Sequence, residues 1–282
     1  MPPADPAPAT ADLRDEAADA PVADAPIALA RPDEGILVLT LSRPDRFNTL
    51  SVALMTALEA QLAAAAADPA VRVVVLGGAG KAFSAGHDLE ELRRDPSRAA
   101  VTAVFAQCAR LMLAITRLPK PVIARVHGIA TAAGCQLVAT CDLAVAADTA
   151  RFAVSGINLG LFCATPMVAI TRGMPRKEAM RLLLTGEFID ASTAREHGLV
   201  NEVVPAAALD DAVLALARRI ARQSPAAVAF GKQLFHRQIE ADLETAYRLA
   251  ALTMVENLMG EDAQAGIDSF LAKRPLPAWT GR

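Results

Sequence analysis

Residues 120–148, KPVIARVHGIATAAGCQLVATCDLAVAAD, decide the fold class of this 282-residue chain. Val122 to Val126 is a short, mostly apolar run, the right length for a buried strand and too short for a helix of its own. His127-Gly128 breaks it, and small residues lead into a helix over Ala133 to Ala139, whose first N–H groups have no acceptor inside the helix. Leu143 to Ala147 then reads as a second buried strand. Strand, small-residue turn, helix and strand in succession are the alternation of an α/β protein.

The same alternation extends outward. GILVLTLS (35–42) reads as a strand broken by RPDRFNTL (43–50), and Ser51 caps a helix whose Leu54, Leu58 and Leu62 share one face up to Ala67. Val71 to Leu76 is a strand that runs into the Gly-rich loop GGAGKAFSAG (77–86), and short and long helices follow from Asp88 and over Arg98 to Arg117. After Pro175 the pattern is helical: Arg176 to Leu184, Ala191 to His197, Leu209 to Arg222, Ala226 to Glu240, Leu243 to Met259 and Glu261 to Lys273. Residues 1–27, rich in Ala, Pro and Asp, bury too little apolar surface to offset chain entropy and are expected to be a disordered arm. The expected division is that arm, a core over 28–224, and a C-terminal helical oligomerisation region over 225–282.

With 28 basic and 31 acidic residues dispersed along the chain, no basic block is present to neutralise a phosphate backbone, so a nucleic-acid partner is not expected. Charged residues or proline interrupt each apolar stretch, so no membrane partner or transmembrane helix is expected. Cys108, Cys135, Cys141 and Cys163 sit among aliphatic residues without CxxC spacing, and the four histidines are dispersed, which predicts inert thiols and no metal site. The start of the chain lacks the features of a signal peptide and is too acidic for a transit peptide; the expectation is a cytoplasmic protein.

Two stretches can carry chemistry. In GKAFSAGHDLEEL (80–92), Gly86 allows an unusual backbone turn and Asp88 caps a helix, turning the His87 amide outward. In the second, the amide at Ala133 opens a helix. Two such N–H groups can hold a thioester oxygen as it becomes an enolate-like oxyanion. AFSAGHDL, KPVIARVHG, AAGCQLVATCDLAVA and RFAVSGINLG, in that order, resemble the crotonase superfamily, the enoyl-CoA hydratase/isomerase family, over about residues 35 to 275. GINLGLFCATP and PRKEAMRLLLTGE are similar to the subgroup of enoyl-CoA hydratase domain-containing protein 3.

The resemblance implies a spiral of ββα units with a C-terminal helical subdomain that assembles homotrimers or homohexamers. It implies an acyl-CoA thioester as partner, with coenzyme A arriving as part of the substrate and no other cofactor bound. The oxyanion hole falls on His87 and Ala133, and the CoA contacts on Arg46, Lys81, Phe83 and Ala85, Arg46 alternatively being a solvated loop charge. Where a hydratase of this family carries two glutamates, this chain has Gln136 and Gly156, with Ser155 in place of a proline. An amide orients a water but does not accept its proton, and glycine does neither, so ordinary hydration is expected to be weak.

The expected remedy is Gln136→Glu with Gly156→Glu, aided by Ser155→Pro. AGHD followed by NLG is also similar to methylmalonyl-CoA decarboxylase, although Cys163 stands where that enzyme has Tyr. Gln136 is read either as a contact to the acyl group or as a partner of nearby backbone, and Cys163 as packing. His127 is read as a structural hydrogen-bonding group, His197 and His236 as surface groups, and Asp142 as a turn or cap. Lys232, Phe235 and Arg237 are read as the solvated edge of an amphipathic helix, in preference to a reach toward a neighbouring subunit.

Overall fold

The computed structural model describes residues 25–282, so the expected arm lies, up to residue 24, outside the described residues. The chain enters the fold through β1 (Ile27–Asp33), antiparallel to β2 (Ile36–Leu41) with Ile27 opposite Leu41. The sequence reading passed over β1, whose alanines and Arg31-Pro32 have little β propensity; pairing with an apolar neighbour and burial of Ile27 make it a strand. The capped helix follows as α1 (Val52–Ala67), with the Ser51 hydroxyl accepting from the Leu54 N–H.

The supposed loop 77–86 is not all loop. β3 (Val73–Gly78) ends in it, and β4 (Ala82–Ser84) begins a second sheet. Next come α2 (Leu89–Arg94), α3 (Arg98–Arg117), β5 (Val122–Val126), β6 (Ile129–Thr131) and α4 (Ala133–Thr140). β7 (Leu143–Ala147), β8 (Arg151–Ala153) and α5 (Ala164–Gly173) complete a third passage of the same kind. Each passage puts its first strand in the large sheet and its second in the small one before a helix returns. With β9 (Ile189–Asp190) and β10 (Glu202–Val204), the sheets have the orders β1-β2-β3-β5-β7-β10 and β4-β6-β8-β9. From β2 to β10 every neighbouring pair in the large sheet is parallel. This is the spiral of ββα units that the sequence motifs implied.

A parallel sheet covered on both faces needs nearly continuous apolar strands. Leu37, Leu39, Val74, Leu76, Val122 and Ala124 face the main core, while Ile36, Val38, Val73, Val75, Ile123 and Val145 face the other way. That second face is closed by α8 (Leu209–Ala221) through Leu209, Val213, Leu214 and Ala217, the two helices before it being α6 (Arg176–Thr185) and α7 (Ala191–Glu196). α3 is long and apolar enough by length and composition to cross a membrane. One of its faces, Cys108, Leu111, Met112 and Ile115, is buried in the core, as in the central helix of a globular fold.

Three helices complete the chain: α9 (Pro225–Gln238), α10 (Leu243–Met259) and α11 (Glu261–Leu271). α9 is held to the core by Lys232, which corrects the expectation of a solvated position for that residue; Phe235 and Arg237 stand exposed as expected. Its ammonium is buried, lies 2.7 Å from Asp142 and donates to the Ile115 and Lys120 carbonyls. His236, read as a surface group, also reaches Asp142, at 3.2 Å. Asp142 further accepts the Val122 N–H and so ties the starts of β5 and β7 to α9. The tail docks where Trp279 donates to the Arg222 carbonyl and Asp262 accepts from Ser224, Thr280 and Gly281.

Candidate functional site

The site is assembled by two loops that clamp onto each other. Asn48, left-handed at φ 52°, sends its amide to the Ala79 and Ala82 carbonyls and accepts the Arg43 N–H. The Ser84 hydroxyl donates to the Asn48 carbonyl, and the Ala85 N–H to that of Phe47. Asn48 escaped the sequence reading; an Asn after a turn signal, tolerant of positive φ, is the trace it leaves. The clamp delivers Gly86, at φ +93°, and His87 to the start of α4.

Contact between the halves is close enough to exclude larger residues. A Cβ on Gly86 would lie 3.2 Å from the Ala133 nitrogen, and one on Gly134 would lie 2.1 Å from the Ser84 carbonyl oxygen. Ala132, before the helix, is held at φ 51°, a conformation that costs a non-glycine residue roughly 1–3 kcal/mol. Among the described residues neither the His87 nor the Ala133 N–H donates to a protein acceptor. Two open donors therefore sit at adjoining backbone turns.

Gln136 is one turn into α4 and buried. Its side-chain oxygen accepts from the Cys108 thiol at 3.9 Å, so it does not serve the neighbouring backbone. Ser155 is tied to Thr131 by a 2.7 Å hydroxyl pair, an unforeseen link between the end of β6 and the turn carrying Gly156. Gly156 departs from expectation: a Cβ there would lie 2.5 Å from the Leu161 carbonyl oxygen and 2.7 Å from the Cys163 sulfur. The position is filled as well as bare, and Gly156→Glu cannot be a simple addition. This corrects the expected remedy.

Cys163 packs against that turn, and burial raises its thiol pKa. Burial likewise pushes Cys108 up to about 11 and Cys135 up to about 12, so none is activated as a nucleophile. His87 is mostly buried, its ring edge-on to Phe105 at 5.2 Å and its Nδ1 at 3.4 Å from the Leu50 carbonyl; desolvation lowers its pKa. His127 makes its expected structural bond, 2.9 Å to the Gly80 carbonyl.

The residues assigned to CoA are less gathered. Arg46 is on an exposed turn, paired with Glu90 at 2.6 Å, and Lys81 is exposed before β4. Phe83 is fully buried, so its ring is out of a ligand's reach and only its main chain remains available. Ala85 belongs to the clamp. A cleft of about 450 Å³ opens nearby between α1, α2 and α3, lined by Val52, Glu91, Leu92, Val101, Val104 and Gln107. Neither open amide lines it.

Residues 31–282 match the family model of enoyl-CoA hydratase/isomerase. The rat enoyl-CoA hydratase domain-containing protein 3, mitochondrial, is 44% identical over 92% of this chain and 86% of its own. The 2,3-dehydroadipyl-CoA hydratase of Escherichia coli is 36% identical over 88% and 96%. A crystal structure of an enoyl-CoA hydratase from Mycobacterium smegmatis superposes with a TM-score of 0.88 at 54% identity, covering 90% of this chain and 99% of that one. The human enoyl-CoA hydratase domain-containing protein 3 gives 0.86 at 44% identity, covering 89% and 99%. The cytoplasmic expectation is overturned by these comparisons, because the rat, frog and human relatives are named mitochondrial. The free cysteines do not distinguish one compartment from another.

Proposed function

The chain belongs to the enoyl-CoA hydratase/isomerase family, in the subgroup of enoyl-CoA hydratase domain-containing protein 3, and from this we propose that it binds acyl-CoA thioesters and stabilises their enolates. The observation that carries the reading is the pair of open N–H groups at His87 and Ala133. Negative charge that develops on the thioester oxygen is met by both donors. Loss of one such donor typically costs about 10²–10³ in rate. Gln136 positions the acyl group or a water without accepting a proton, and Gly156 supplies nothing, so carboxylate-driven hydration is slow. Coenzyme A comes with the substrate, its polar end near Arg46, Lys81 and the main chain of Phe83 and Ala85.

A malonyl-type thioester suits such a site. Its carboxylate C–C bond breaks, carbon dioxide leaves, and the bonding pair becomes the enolate without removal of a carbon-bound proton. A second reading, an acyl-CoA-binding protein without turnover, draws on the same missing carboxylates. Assembly into trimers or hexamers is proposed for the helices from residue 225, where Leu243, Tyr247, Met254 and Met259 stand exposed on α10.

A panel of enoyl-, malonyl-type and simple acyl-CoA thioesters, assayed for turnover and titrated by calorimetry, tests the reading. Turnover supports enolate chemistry, binding without turnover selects the second reading, and no binding refutes both. Light scattering should give a mass that is a multiple of three protomers; a stable monomer at micromolar concentration refutes the assembly.

A further inference from the structure

The His87 side chain has no role in the scheme above, in which only its main-chain N–H is used. Its Nδ1 faces the Leu50 carbonyl, which is only an acceptor, so Nδ1 carries the ring proton and Nε2 presents a lone pair. Nε2 is buried and has no hydrogen-bond partner among the described residues. A buried acceptor left without a donor is destabilising, a penalty that a bound donor removes.

His87 rests on Phe105 of α3, while Gln136 meets Cys108 and Thr140 meets Met112 on the same helix. Phe105 and Cys108 are three residues apart, about 4.5 Å of helical rise, so the imidazole and the Gln136 amide contact the same helix within one turn of each other. The ring also belongs to the residue whose N–H is one of the open donors. The charged group acting on it is Glu91 of α2; its neighbour Asp88 is engaged with the Thr49 hydroxyl and the Glu91 N–H.

Building on the oxyanion-hole reading, we propose that His87 Nε2 is the proton acceptor for a water or hydroxyl at C3 of the bound acyl group. In the addition direction the water oxygen bonds to C3 of a 2-enoyl thioester. The C2–C3 π pair moves to the thioester as an enolate held by the His87 and Ala133 N–H groups, and the water proton passes to Nε2. The enolate then takes a proton from the imidazolium at C2. One water is added, and no oxidant or reductant is needed. Burial lowers the pKa of the ring and keeps it in the neutral, accepting form near pH 7.

The test is addition of water to crotonyl-CoA by the full chain and by His87→Ala and His87→Gln, both of which keep the main-chain N–H. The parent should turn over slowly, and both variants should be slower by about 10²-fold or more with unchanged calorimetric affinity for crotonyl-CoA. The parent's kcat should be level above pH 7 and fall below the ordinary histidine range of about 6.5. That profile needs no variant, and its absence overturns the proposal even if both variants fold badly. Variants as fast as the parent, or a parent that binds crotonyl-CoA and adds no water, overturn it too. A parent that binds no acyl-CoA thioester removes the oxyanion-hole reading and this proposal together.

Discussion

Returning carboxylates to positions 136 and 156 should have unequal effects. Gln136→Glu preserves volume in a site already shaped around a planar side chain beside Cys108, and supplies a proton acceptor one turn from the Ala133 N–H. One placed acid/base group typically contributes about 10²–10⁴, and an error of about 1 Å can remove about 10² of that. A gain of about 10²-fold in crotonyl-CoA hydration over the parent is the expected result for this variant. Gly156→Glu meets a different obstacle, since its first added carbon would lie 2.5 Å from the Leu161 carbonyl oxygen and 2.7 Å from the Cys163 sulfur. The sulfur can be trimmed by Cys163→Ala, but the carbonyl belongs to the backbone. Even Gly156→Ala should therefore cost about 1–3 kcal/mol by overpacking. For a chain of this size that is a fall of roughly 2–5 °C in Tm. Loss of the conjugated enoyl thioester absorbance measures hydration, and scanning calorimetry measures Tm. A Gly156→Glu variant with the parent's Tm and raised hydration would refute the steric argument and show that the 155–163 turn yields freely.

Other perturbations follow from the same contacts. Lys232→Met leaves the half-buried Asp142 without its buried cation and should cost about 2–4 kcal/mol in urea unfolding, with partial recovery when Asp142→Asn is added; a loss under about 1 kcal/mol would mean α9 is held by other contacts. Gly86→Ala places a methyl at φ +93°, 3.0 Å from Ala132 Cβ and 3.2 Å from the Ala133 nitrogen, and should weaken acyl-CoA binding at least tenfold by calorimetry; parent affinity would contradict the two-amide site. Burial lowers the pKa of His87 and His127, so both stay neutral in the fold while the unfolded chain gains protons below about pH 6.5. Stability from this source is complete above that pH and falls as pH drops through it toward the depressed folded values, by up to about 1.4 kcal/mol per pH unit for each histidine. Equal urea midpoints at pH 7.5 and 5.5 would exclude it.

The sequence by itself determined the fold class. The apolar runs of β2, β3, β5 and β7, the caps at Ser51 and Asp88, and α3 and α10 to the residue were legible because each is set by a local pattern of period, cap or breaker. The second sheet was not legible. β4, β6 and β8 are three residues each, too short to show a period, and exist because successive turns of the spiral bring them side by side. Gln136 and Gly156 could be recognised as departures, yet only the packing shows that position 156 is closed by a carbonyl and a sulfur from residues downstream. The Asp142–Lys232 pair joins residues 90 apart, and the orphaned Nε2 of His87 depends on how Leu50 and Phe105 enclose it. Such features come from through-space proximity and desolvation, and neither quantity is carried by neighbours along the chain.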